Sequence, residues 1–362
     1  MKVSFFLPAL AGHAFQQTAL IGMLPVLSQE LGLSQPQIGW AVAAGMATAA
    51  LALPFLGRLG GQVVLFGGLI GLLSANIALI ALVGAPGGIM APSLALTSLI
   101  AIRSVQGLSA AGLLMLAQQA SVRPTGTARI LGKVQSMGGI GRILGALLLG
   151  PLAAISPLLP LFPAAIGTII SLALVRRAGL PSLRTSFRPP RLLAFRATIL
   201  TQMAVGASQI GLAPLLSARL ADGAIGATAL AGICLASANL GLLLALRLIA
   251  PRARRSHARY GALCLALAAG AVPFADSLIV FASLSLLIGG STALLFTLSL
   301  SDLMTREDYA QLQVTGWNGA IQIASLAAGV AFGAAFVAVS PAAPFALAAL
   351  SGVALAVSPS KS

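Results

Sequence analysis

Charge is the first thing this sequence lacks. Charged residues make up 7% of its 362, where a soluble domain carries about a quarter. Six residues are acidic: Glu30, Asp222, Asp276, Asp302, Glu307 and Asp308. All six fall between apolar runs or at their ends, so a paired-carboxylate catalyst inside a membrane is excluded. The two cysteines, Cys234 and Cys264, lie within apolar runs and read as small packing residues, without a disulfide or thiolate metal site. The two histidines, His13 and His257, are far apart in sequence, and neither metal nor cofactor is expected. No G-x-x-x-x-G-K-[ST] loop is present, so nucleotide-driven work has no motif to rest on. An intramembrane enzyme would need a nucleophile and base that the chain does not supply. The formal charge of +15 comes from basic residues dispersed between apolar runs, which argues against a nucleic-acid partner.

What is abundant is apolar sequence. Hydrophobic residues are 58% and the mean hydropathy is +1.02. With lipid around most of its exterior, a chain must satisfy its backbone internally, by helices or a closed barrel. The apolar runs reach about 20 residues without strict alternation, which selects helices. Twelve spans are predicted, at 3–27, 36–56, 63–84, 91–117, 130–152, 155–175, 197–217, 224–246, 259–273, 277–298, 312–337 and 340–358. The split between the fifth and sixth rests on Pro151 and Pro157. The start imitates a secretory signal, with Lys2 and Ala9-Leu10-Ala11. Its apolar character continues to Leu27, however, and the expectation is an uncleaved first helix.

Loop charge sets the expected orientation. With the N-terminus inside, eighteen of the 21 basic residues fall in inner segments and only Arg219 in an outer one, so both termini are placed in the cytoplasm. The Pro- and Arg-rich stretch 176–196 divides six spans from six. The expected organisation is an N-terminal six-helix half (1–177), a basic linker (178–195) and a C-terminal half (196–362). A faint repeat supports duplication: Pro25, Leu27, Ser28 and Leu31 recur as Pro214, Leu216, Ser217 and Leu220. Ile38-Gly39 and Ala44-Gly45 recur as Ile225-Gly226 and Ala231-Gly232. The expected setting is a bacterial inner membrane, where the protein is a multi-pass monomer.

Polar residues inside spans are costly, so they mark candidate sites. Arg103 and Arg142 are mid-span cations without a mid-span acid to pair with; Gln106 lies one turn from Arg103. Each arginine faces a wet cavity or, alternatively, bonds carbonyls or snorkels to an interface. The missing counter-charge suggests an anionic small-molecule substrate. His13 is a candidate proton relay or a neutral residue bonded to a neighbouring helix. Gln16, Gln17, Gln202, Gln209, Asn239, Trp317, Asn318 and Gln322 are further candidates for lining a cavity, or else act as interhelical glue.

Two of these segments bear a resemblance. Arg103-Ser-Val-Gln106-Gly107 resembles the fourth-helix R-x-x-Q-G signature of the major facilitator superfamily. Gly141-Arg142-Ile-Leu-Gly145, with Gly150-Pro151 nearby, is similar to the fifth-helix glycine motif of its exporters, with Ala146 where that family has proline. Pro54-Phe-Leu-Gly57-Arg58-Leu59 keeps the opening of the family's hallmark loop, followed here by Gly60-Gly61-Gln62. The resemblance implies an all-α fold of two six-helix bundles related by a pseudo-twofold axis, and a secondary transporter working by alternating access. It also implies protons as coupling ion through the fourth-helix arginine, and gating or packing roles for Gly57, Arg58, Gly107, Gly141, Gly145, Gly150 and Pro151. The expected function is export of a small organic anion such as a carboxylate siderophore. Multidrug–proton antiport is the first alternative and a non-transporting membrane sensor the second.

Overall fold

The structure is a computed structural model describing residues 5–56, 59, 61–85, 90–119, 127–175, 192–304 and 311–357, with backbone alone at 54, 118–119, 127–136, 304 and 311–316. Gly57, Arg58 and most of the predicted basic linker lie outside the described residues. Among the described residues the regular structure is helical throughout.

Every predicted stretch contains a helix. In order these are α1 (Leu7–Gly22), α2 (Leu24–Leu31), α3 (Gln35–Leu56), α4 (Gly61–Val83), α5 (Pro92–Gln119), α6 (Thr127–Leu147), α7 (Leu149–Ile155) and α8 (Phe162–Leu174). There follow α9 (Arg196–Arg219), α10 (Gly223–Leu244), α11 (His257–Ala271), α12 (Leu278–Met304), α13 (Gln311–Val337) and α14 (Ala343–Val357). Among the described residues, seven helices are long and apolar enough to cross a membrane, or eight if the bent pair α6–α7 is one span.

Two expectations are adjusted in detail. The first stretch is two helices: it breaks at Met23 and runs on to Leu31, with Pro25 starting the second piece where its missing N–H costs nothing. The fifth, predicted to end at 152, runs on to Ile155. It bends by 51° between Leu147 and Leu149, and Pro151 sits in the first turn of α7, where proline is tolerated. The extended backbone of Ser156 is what stops α7.

Packing follows one plan twice. In the N-terminal set, α1 packs on α6 and α8, α3 on α5, and α4 on α5 and α8. In the C-terminal set, α9 packs on α13 and α14, α10 on α12, and α11 on α12 and α14. The sets meet through α3 against α13 and through α6 and α7 against α10, again an exchanged pair. Small residues make this closeness possible. A side chain at Gly107 of α5 would collide with the carbonyl of Gly45 on α3, and one at Gly289 of α12 with that of Ala238 on α10. Gly141 and Gly145 of α6 abut Ala11 and Phe15 of α1, as Gly329 of α13 abuts Met203 of α9.

The apolar core is shared most widely at one end. Leu24, Leu27, Leu31, Ile38 and Val42 join Leu215, Leu216, Leu235 and Ala334 in one cluster. At the other end the cores separate. Phe6, Leu56, Leu65, Leu113 and Leu116 form one, with Ile323 at its edge, and Phe195, Leu303 and Ile321 form another.

Candidate functional site

The N-terminal set buries a polar cluster at its centre. Arg103 and Gln106 project from one face of α5, a single turn apart, and the guanidinium Nη1 donates to Gln106 Oε1. Gln106 Nε2 in turn donates to Gln16 Oε1 on α1 at 3.2 Å and to Asn76 Oδ1 on α4 at 2.7 Å. Three helices are thereby tied together. Arg103 is 2% exposed, and Gln16, Asn76 and Gln106 have no exposed surface. Every member can donate and only the three amide oxygens accept. The surplus is visible: Gln16 Nε2, Asn76 Nδ2 and Arg103 Nε are buried without a partner among the described residues, as is Nδ1 of buried His13, one turn before Gln16. Among the described residues no acid forms an ion pair here; the one salt bridge between described residues joins Arg255 to Asp302 at 2.8 Å.

Arg142 is placed differently. It is part-exposed, and its neighbours around α6 show to what. Gly141 and Gly145 press on α1, and the backbone at Ala146 lies against Gly232 of α10. Ile140, Leu144 and Leu147 form the exposed outer face. At 100° per residue, Arg142 falls between the α1 and α10 contacts, above Gly138. Nothing among the described residues lies within 4 Å of where side chains at Gly138 or Gly139 would begin. Arg142 therefore faces an internal space between the two sets of helices.

The C-terminal set holds milder chemistry. Thr198 of α9 donates to Asn318 Oδ1 of α13 at 3.1 Å, and its hydroxyl is 3.4 Å from that of Ser299 on α12. Asn239 turns its amide back to the Leu235 carbonyl of its own helix at 2.8 Å. Gln202 is buried, whereas Gln17, Gln209 and Gln322 are part-exposed. Trp317 packs on the apolar trio Phe195, Leu303 and Ile321. The structure thus brings Arg103, Gln106 and Gln16 together, leaves Arg142 apart on α6, and scatters the C-terminal candidates. Gly107, Gly141, Gly145 and Gly150 each sit at a close helix contact, the last against Ala229. Asn76 and Thr198 were missed. Asn76 had a signal, as the one amide in the stretch 63–84; Thr198 had none.

The fold has close counterparts among solved structures. A POT family transporter in complex with a thioalcohol-conjugated peptide superposes with a TM-score of 0.68 at 11% identity, over 98% of this chain and 94% of that one. A D-xylose–proton symporter gives 0.66 at 14%, over 98% and 96%. A bacterial homologue of the human lysosomal transporter Spinster, in an inward-facing and occupied conformation, gives 0.65 at 14%, over 93% and 80%. The chain has the major facilitator fold. No protein-family model matches the sequence, and no curated protein is detectably similar to it. In the major facilitator fold seen here, the doubled packing plan puts α5 and α6 in the places that α12 and α13 take in the second set. The polar cluster and Arg142 therefore both belong to the first set, with nothing charged described at the matching places in the second.

Proposed function

We propose that this protein is a secondary transporter that carries a small organic anion across the membrane by alternating access, and that it works as an exporter. The observation behind the substrate class is the donor-rich, acid-free cluster around Arg103, together with Arg142 facing the space between the sets. An orphaned buried donor costs about 1–3 kcal/mol, and guanidinium groups keep their protons. A carboxylate or similar anion is the natural complement to both, with Arg142 as its first contact and the Arg103 cluster fixing the field behind it. The joined core at one end and separate cores at the other support a two-state carrier. With the N-terminus inside, the separated end is the cytoplasmic one, where an exporter loads.

Flux into proteoliposomes tests this. A panel of carboxylates should be carried in preference to lipophilic cations such as ethidium, and Arg142→Gln should lose that preference. Transport of ethidium with indifference to carboxylates would favour drug efflux, and no flux of any solute would favour a sensor. Proton coupling is a separate matter, for which His13 is the candidate. An imposed pH gradient should stimulate wild type and leave His13→Gln unmoved; equal stimulation of both removes His13 from the mechanism.

A further inference from the structure

The end of α10 carries a feature that substrate transport does not use. From Gly223 the helix continues through a π-helical turn (Ala245–Ile249) and a 3-10 turn (Ala250–Arg252). Together they make an apolar stretch of 30 residues, most of them not buried within the protein. At about 1.5 Å per residue this is roughly 45 Å, against about 30 Å of hydrocarbon and 40–45 Å with both headgroup layers. The stretch is therefore long enough for its last two turns to reach the lipid headgroups.

Their side chains suit that depth. Leu246, Leu248 and Ile249 are exposed and apolar, and Tyr260 follows on α11 at 69% exposure. Arg247, Arg252, Arg254 and Arg259 are exposed among them. Arg252 reaches back to the Leu248 carbonyl at 3.1 Å, bracing the irregular turn. The acid described beside this segment, Asp302, is already engaged by Arg255. Arg247 and Arg252 thus stand beside exposed aliphatic side chains on a winding that departs from a regular helix, and Arg254 and Arg259 follow in the link and on α11.

We propose that this segment is a binding site for anionic phospholipid. The arginines bind the headgroup phosphate, for which guanidinium geometry is suited, while Leu246, Leu248 and Ile249 lie along the acyl chains. A lipid is the occupant, and not a soluble phosphate, because exposed aliphatic and basic side chains stand together at the end of a helix long enough to reach the headgroups.

The test uses the full chain reconstituted in phosphatidylcholine, with spin-labelled phosphatidylglycerol compared with spin-labelled phosphatidylcholine as the motionally restricted lipid. Wild type should prefer phosphatidylglycerol by about threefold or more, since each basic residue at the surface adds attraction. The variant R247Q/R252Q/R254Q/R259Q should lose at least half of that preference with its thermal unfolding unchanged. If it does not fold, R247Q/R252Q and R254Q/R259Q are measured singly, and each should lose part. No preference in wild type, or full preference in the variants that fold, overturns the proposal.

Discussion

The two sets of helices share a backbone plan and differ in almost everything placed inside it. In α9–α14 the first and fifth members, α9 and α13, run unbroken, and α9 passes through Pro214 without a stop. Their counterparts in the first set are both interrupted, at Met23 and at Leu148. The two interruptions touch: a side chain at Gly22 would strike that of Leu149. The same set holds Arg103 and its amides, whereas the second set offers hydroxyls, two asparagines and scattered glutamines, with no buried charge among its described residues. Duplicated architecture, then, constrains where helices approach and leaves free what they carry. One set is specialised for charge and bending, the other for apolar packing.

That contrast can be broken at graded points. The largest effect is expected where the sets agree. Gly107→Val and Gly289→Val each drive a side chain into a neighbouring carbonyl, costing about 3 kcal/mol or more, so neither should yield monodisperse protein in detergent. If one set tolerates its substitution, the shared plan is looser than the contacts imply. Next is Arg103→Met, which replaces an acid-free buried cation with an apolar side chain of similar length. Transport should fall at least about tenfold, while the unfolding temperature holds or rises because unmet donors are removed. A large drop in stability would make Arg103 a structural brace. Arg142→Gln comes third: KM for a transported carboxylate should rise about tenfold, a loss near 1.4 kcal/mol, with stability unaffected. The smallest effect belongs to the second set. Thr198→Val should cost about 1 kcal/mol in thermal unfolding and leave flux as it was.

How much of this could be read from residues alone depends on range. The helical, multi-span character was legible because lipid demands long apolar runs, and Arg103 with Gln106 because they share one helix face at short spacing. The partners of that pair were harder. Gln16 and Asn76 stand 90 and 30 residues from Gln106, and nothing local says that α1 and α4 will meet α5. The helix breaks were displaced for a related reason. Gly22, Pro25 and Pro151 flank them, but the points of interruption, Met23 and Leu148, are ordinary apolar residues. Their positions follow from how α1, α6 and α10 crowd together. Proline by itself was a poor guide, since Pro214 lies inside a continuous helix.

The cation at Arg103 has an electrical consequence. A guanidinium that keeps its proton through the whole cycle is a stationary charge, fixed to the protein and not carried. Under the proposed function, an anion moving past it crosses the membrane without a travelling counter-charge, so each turnover is a current. A cell interior held negative by 100 mV would then contribute about 2.3 kcal/mol for every monovalent anion leaving. By this arithmetic the resting voltage alone would sustain an outward gradient of roughly fifty-fold. Valinomycin and potassium, which set that voltage in vesicles, become the simplest control over which way the protein runs.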